Sequence, residues 1–304
     1  MDQNQIKDEI LRLARQRDVL ILAHNYQRDE IQEIADITGD SLALSIAAAE
    51  TNKQIIVFCG VHFMAESAAI LAPDKTVLLP NLNAGCPMAD MVTPETLQVM
   101  RDKYPGVPVV AYVNTSATTK ALSDICCTSA NAVKVVASLP DNEVILIPDR
   151  NLGSYIASQV DKECHLWPGC CPIHDKLMSQ QVLVCKEDHP DAICMAHPEC
   201  PPAVLEVSDQ ILSTGGMLEF VRTSSHQQFI VATERGILCQ LKKDNPDKQF
   251  FFPDYEFICT DMKLTTLEDV LKCLQTLEPQ VKVPEEIRLS AYRSLERMLA
   301  IPRD

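Results

Sequence analysis

Val19-Leu-Ile-Leu-Ala-His24 is a short apolar run that stops at a histidine, and it recurs as Val107-Pro-Val-Val-Ala-Tyr112 and as Ala192-Ile-Cys-Met-Ala-His197. The aligned ends His24, Tyr112 and His197 lie 88 and 85 residues apart. Each run is bounded by polar residues, the pattern of a parallel strand buried on both faces. Other segments keep nearly the same offsets. Ile37-Thr-Gly-Asp-Ser41, Ile125-Cys-Cys-Thr-Ser129 and Ile211-Leu-Ser-Thr-Gly215 read as small-residue turns leading into helices. A further strand follows at 54–58, 143–147 and 228–231, and another at 76–79, 165–167 and 249–252. Helical patterns at 61–72, 154–160 and 236–242 separate them.

Strands alternating with helices imply parallel sheets with helices on both faces. The expected fold is therefore α/β, with three homologous three-layer α/β/α domains, each carrying a small parallel sheet, in a pseudo-threefold arrangement around one site. The expected boundaries are 1–88, 89–173 and 174–283, with a C-terminal helix in 284–304 packing on the first domain. An ordinary two-domain α/β protein with generic βα patterning is the alternative.

Three cysteines follow the same rhythm. Cys86, Cys171 and Cys259 each lie just past the last strand of a repeat, 85 and 88 residues apart. In open α/β sheets ligands bind beyond the carboxyl ends of strands, and converging strand ends would bring three thiols to one point. Three thiolates can hold an iron–sulfur cluster and leave one iron free. The competing reading is three buried, unreactive cysteines, since free Cys behaves as a small hydrophobe.

Composition narrows the classes. The 304 residues carry a net charge of −15, which argues against a nucleic-acid or anionic-membrane partner. An apolar fraction of 46% supports sizeable cores. No signal-peptide pattern and no membrane-length apolar run is present, so a cytoplasmic location is expected. Thirteen cysteines in such a chain point to metal or redox chemistry rather than a disulfide framework. No C-x-x-C occurs, which disfavours a zinc ribbon or thioredoxin-like site.

At Ala23-His-Asn-Tyr-Gln27 the pattern becomes specific. Together with Gly39-Asp-Ser41, Cys86-Pro-Met-Ala89, Tyr112-Val-Asn-Thr115, Thr128-Ser-Ala-Asn131, Pro148-Asp-Arg-Asn-Leu-Gly153, His197-Pro-Glu-Cys200, Ser213-Thr-Gly-Gly216 and Met262-Lys263, the chain closely resembles the quinolinate synthase family of NAD biosynthesis. The resemblance runs from about residue 6 to about residue 299. It implies three α/β domains around one [4Fe–4S] cluster per chain, held by Cys86, Cys171 and Cys259 with one iron open. It implies condensation of iminoaspartate with dihydroxyacetone phosphate to quinolinate, a carbon–carbon bond-forming transfer with dehydratase chemistry. An L-aspartate-oxidising enzyme is the implied source of the imine. No nucleic acid or membrane is expected as partner, and the assembly is expected to be a monomer or homodimer.

Two departures stand out. Relatives commonly carry His or Tyr before the second ligand, where this chain has Cys170. The following Pro172 and His174 favour Cys171 as the ligand. Some relatives carry a C-x-x-C-x-x-C run at the third ligand; Cys259 stands alone here, so no disulfide switch is expected there. Cys126, Cys127, Cys194 and Cys200 are expected to be structural.

The resemblance also assigns roles. His24 would bind a substrate carboxylate or hydroxyl, and Tyr26 would carry a proton. Tyr112 and Asn114 would hydrogen-bond a carbonyl or carboxylate. Glu199 is the candidate general base, with His197 orienting substrate or donating a proton. Ser41, Ser129 and Thr214 precede helical patterns, where hydroxyls and free N–H groups can bind anions. The rivals are an iron–sulfur sensor, which would need a partner-binding surface, and another cluster-dependent hydro-lyase, which would release no phosphate.

Overall fold

A computed structural model describes residues 1–303 of the chain. It contains three four-stranded sheets, all parallel. The first holds β1 (Val19–His24), β2 (Ile37–Gly39), β3 (Ile55–Cys59) and β4 (Thr76–Leu78) in the order β2-β1-β3-β4. The second holds β5 (Val109–Tyr112), β6 (Ile125–Cys127), β7 (Glu143–Ile147) and β8 (Glu163–Leu166), ordered β6-β5-β7-β8. The third holds β9 (Ile193–Ala196), β10 (Gln210–Ile211), β11 (Gln228–Ala232) and β12 (Gln249–Phe251), ordered β10-β9-β11-β12. One strand order used three times establishes the repeat and removes the two-domain alternative. The segments read as turns at 37–41, 125–129 and 211–215 begin with short edge strands, because two or three residues are too few to show a strand period.

The repeat is held by one device in each sheet. Asp36, Asp124 and Asp209 precede the edge strands, at the same 88- and 85-residue intervals. Their carboxylates accept the N–H of Ile21, Val109 and Cys194, each at 2.8 Å. Their own N–H groups donate to the carbonyls of those same residues, each at 2.9 Å. The carboxylate extends a ladder that the edge strand is too short to complete, and so leaves no buried N–H unpaired.

The central strands are buried except at Ile193, the half-buried first residue of β9, as sheets covered on both faces require. The covering helices do not all belong to their own repeat. Helix Gln3–Gln16 and helix Leu267–Thr276 pack together on the first sheet, with Ile10 and Leu13 meeting Val270 and Leu274. Beyond that helix, Val281 donates to Val77 O at 2.9 Å. Residues 267–281, assigned by sequence order to the third domain, thus complete the first.

The C-terminal helix Glu285–Leu299 is also displaced from expectation. It lies mainly on helix Ala117–Ala121 and β6 of the second unit, and touches helix His62–Leu71 of the first. Ser294 Oγ donates to Lys120 O at 2.9 Å and Arg297 to Asp124 O at 2.6 Å. Its buried Ala291, Leu295 and Met298 join a core that runs through both units. The physical reason is that the helix has one apolar face, and the core shared by the two units buries that face.

Candidate functional site

A cavity of about 410 Å³ lies where the strand ends of all three units meet. His24, Tyr26, Ser41 and Cys86 line it from the first unit. Tyr112, Asn114, Ser129 and Cys171 line it from the second, and His197, Glu199, Thr214 and Cys259 from the third. Every candidate ligand, catalytic and substrate-binding residue named from the sequence therefore reaches the same cavity. Cys170 does not line it; its N–H donates to Met91 Sδ at 3.4 Å.

The two histidines are held alike. Tyr26 N–H donates to His24 Nδ1 at 3.2 Å, and Glu199 N–H donates to His197 Nδ1 at 3.3 Å. An Nδ1 that accepts carries no proton, so each neutral ring bears its proton on Nε2. His197 Nε2–H donates to Ser129 Oγ at 3.2 Å. Burial pushes His24 down to about 4 and His197 to about 3, which keeps both rings neutral.

Glu199 is the centre of a buried polar chain. Burial raises its pKa, but the hydrogen bonds donated by His174 and the Tyr112 hydroxyl favour the anion and hold it low. His174 Nδ1 lies 2.8 Å from Glu199 Oε2 and 3.2 Å from Cys171 Sγ. A carboxylate only accepts, so the imidazole proton sits on Nδ1. His174 Nε2 is then an acceptor for Thr233 Oγ1–H at 2.9 Å, and Thr233 in turn accepts from the Tyr26 hydroxyl at 2.6 Å. Tyr26, Thr233, His174, Glu199 and Tyr112 form one continuous hydrogen-bonded path.

His174 and Thr233 were not among the site residues read from the sequence. The spacing Cys171-Pro-Ile-His174 was a usable signal for the first. Thr233 carried none beyond its place after an apolar run.

The three hydroxyl positions differ from the helix-start expectation. Asp40 caps helix Ser41–Glu50, and Ser213 caps helix Thr214–Thr223. Ser41 and Thr214 are thus first helical residues whose hydroxyls are not used as caps. Thr214 Oγ1 accepts from Asn25 Nδ2 at 3.2 Å. Ser129 is in a loop before Asn131 and helix Ala132–Ser138, so it does not stand at a helix start. Asn114 Oδ1 is buried without a partner among the described residues. An orphaned acceptor facing a cavity is what a ligand donor would satisfy.

The donor set fits a thiolate-bound metal group. Burial pushes the Cys86 thiol up to about 12 and Cys259 to about 11, and Cys171 rises well above its usual value. Without a cation these thiols stay protonated; a cation would exchange for the protons. Cys171, His174 and Glu199 also offer ligand atoms within 4.8 Å of one another, close enough for a single ion. Cys126, Cys127, Cys194 and Cys200 are buried outside the cavity lining. None of the thirteen forms a disulfide.

Fold and site together define a class: a threefold-repeated α/β protein whose strand ends gather three thiols, neutral imidazoles and a buried carboxylate in one central cavity. Residues 8–300 match the family described as "NadA: Quinolinate synthetase A protein". The chain is 60% identical to the quinolinate synthase of Geotalea uraniireducens (strain Rf4) over 304 residues, all of both chains. It is 60% identical to that of Geobacter sp. (strain M21), again over the whole of both. It is 51% identical to that of Methanoregula boonei over 296 residues, 97% of this chain and 98% of the relative. The chain belongs to the quinolinate synthetase A family. No helix among the described residues is long and apolar enough to cross a membrane.

Proposed function

We propose that the chain condenses iminoaspartate with dihydroxyacetone phosphate to give quinolinate, phosphate and two waters. The reaction balances without an oxidant. The observation that carries this reading is the meeting of Cys86, Cys171 and Cys259 with His24, Tyr112, His197 and Glu199 in one cavity, in a chain 60% identical to a relative named quinolinate synthase. Cys86, Cys171 and Cys259 would hold a [4Fe–4S] cluster, which supplies a Lewis-acidic iron to a departing hydroxyl.

The protein's own groups do the rest. Glu199, kept ionised by two donated hydrogen bonds, is the general base. The path donates from Tyr26 through Thr233 and His174 to Glu199, so a proton taken up at Tyr26 is relayed to the carboxylate, each group giving up one proton as it gains one. His24 and His197 present neutral Nε2–H donors, which bind a carboxylate or carbonyl without fixing a charge on the ring. Asn114 accepts from a substrate N–H or hydroxyl. Ser41, Ser129 and Thr214 supply hydroxyls around the cavity for carboxylate and phosphate oxygens. Tyr26, Tyr112, His24 and His197 are buried, so each of these bonds acts at a lower dielectric than in bulk water.

Anaerobic purification with iron, sulfide and quinolinate assays tests the reading. About four irons and about four sulfides per chain are expected, with phosphate released alongside quinolinate. Turnover of another substrate without phosphate would indicate a hydro-lyase, and a loaded cluster without turnover a sensor. One metal ion and no sulfide would favour the second reading that the Cys171–His174–Glu199 group permits.

A further inference from the structure

The three cysteines occupy equivalent places, but their backbones are not held equivalently. Val61, Asp149 and Glu234 stand just past β3, β7 and β11, at the 88- and 85-residue intervals of the repeat. In each unit the next residue's N–H donates to the carbonyl two residues before the cysteine. These bonds are His62 to Ala84 at 2.8 Å, Arg150 to Gly169 at 2.8 Å and Arg235 to Phe257 at 2.9 Å. In the second and third units a carboxylate adds a further hold. Asp149 Oδ2 accepts the Cys171 N–H at 2.9 Å, while its Oδ1 accepts Asn151 and Leu152 N–H at 2.8 Å each. Glu234 Oε1 accepts the Cys259 N–H at 3.2 Å, while its Oε2 accepts Gly236 N–H at 2.6 Å. Both carboxylates are buried. In the first unit the position is Val61, which makes no side-chain cap.

We infer that Asp149 and Glu234 are positioning residues for the cluster ligands Cys171 and Cys259, and that the Cys86 corner lacks this support. The inference rests on the cluster reading above. Each carboxylate ties a cysteine's backbone to the start of a helix on a rigid strand end, with one oxygen for each. The sulfur is thereby fixed in direction before metal arrives. An aspartate serves where 22 residues separate carboxylate and cysteine, and the longer glutamate where 25 do. Hydrogen bonds of this kind around metal ligands set affinity by orienting them. Glu234 is also paired with Lys263, whose Nζ lies 3.0 Å from Oε1, so its charge is balanced where it stands.

Asp149→Asn is the sharpest test. Its remaining oxygen can keep the helix cap, where Asn is as good as Asp, while its NH2 faces the Cys171 N–H and cannot accept. Glu234→Gln removes the acceptor at Cys259 and also the ion pair with Lys263, so it is read beside Lys263→Met, which breaks that pair but leaves the acceptor. Reconstituted holoproteins would be challenged with an iron chelator, following loss of cluster absorbance and of protein-bound iron. Asp149→Asn and Glu234→Gln are both expected to release iron about ten- to a hundred-fold faster, well beyond what the fall of a few degrees in melting temperature from one unpaired N–H, shared by the control below, would bring. Amide hydrogen exchange in 167–175 should quicken in Asp149→Asn alone. Asp124→Asn, a strand-clamping carboxylate outside the cavity lining, is the control and should release iron at the wild-type rate. Wild-type release and exchange rates in both test variants would overturn the inference. Equal acceleration in the control would also overturn it, by showing a general loss of stability. A wild-type protein that takes up no iron and sulfide would instead sink the cluster reading itself.

Discussion

Thr233→Val tests whether the buried path from Tyr26 to Glu199 carries protons. The threonine hydroxyl accepts from Tyr26 at 2.6 Å and donates to His174 Nε2 at 2.9 Å. Valine has nearly the same shape and does neither, so two buried groups lose their partner together. Each unsatisfied group costs about 2 kcal/mol, and the added methyl returns about 1 kcal/mol, leaving about 3 kcal/mol. Unfolding entropy near 2.1 cal/mol/K per residue gives about 0.6 kcal/mol/K for this chain, so the melting temperature should fall about 5 °C. The effect on turnover should be larger than the effect on binding. Positioned acid–base catalysis contributes about 10²–10⁴-fold, so kcat should fall at least about a hundred-fold. KM and iron content should stay near wild type, because Thr233 is not among the cavity-lining residues. Thr233→Ser keeps the hydroxyl and should keep most of the activity. Anaerobic steady-state assays of quinolinate formation, with iron analysis on the same samples, measure all of this. A Thr233→Val enzyme within about three-fold of wild-type kcat would refute the path, whatever its melting temperature.

Single replacement of Cys86, Cys171 or Cys259 by Ser should remove the cluster absorbance, and Cys170→Ser should not; a Cys170→Ser protein without a cluster would move the ligand by one residue. Lys120 is fully buried, donates to Thr115 O and lies 5.4 Å from the Phe63 ring centre. Lys120→Met should be close to neutral in a urea melt, because an apolar side chain of similar length replaces a buried charge, whereas Lys120→Ala should lose about 2–4 kcal/mol through the cavity it leaves. Equal losses in both would show that the charge itself is needed. Burial raises the Asp40 pKa, but the two-pronged pair with Arg303, at 2.6 and 2.8 Å, holds it below 3.8. A depressed carboxyl pKa contributes stability that is present above the unfolded value and lost as pH falls through the folded one. Arg303→Met should therefore melt lower than wild type at neutral pH, with the gap closing below about pH 3.8; a gap that stays constant down to pH 3 would remove the ion pair as its cause.

Much of this protein is written along its chain. The 88- and 85-residue rhythm is visible in His24, Tyr112 and His197, and the cysteines keep a similar spacing of 85 and 88, because a repeated backbone needs repeated apolar runs at repeated places. A strand buried on both faces can be built only from such runs, so their number and order were legible without coordinates. The residues at the strand ends were legible for the same reason: polar groups directly after an apolar run have nowhere to go but the sheet's carboxyl edge.

Only the tertiary structure decided how the ends are held and which pieces cover them. Asp149 and Glu234 look like ordinary helix caps in sequence; their second oxygens matter because a loop 22 or 25 residues on returns to the same point. His174 joins Glu199 to Thr233 across a gap that sequence separation does not measure. Helix Leu267–Thr276 completes the first unit although it follows the third, and the C-terminal helix lies across the seam of the first two. The physical reason is one of range. Hydrophobic periodicity is a local property of the chain, set by the neighbours three or two residues away. The choice of which apolar face covers which sheet, and which N–H meets which carboxylate, depends on the packing of all the units at once.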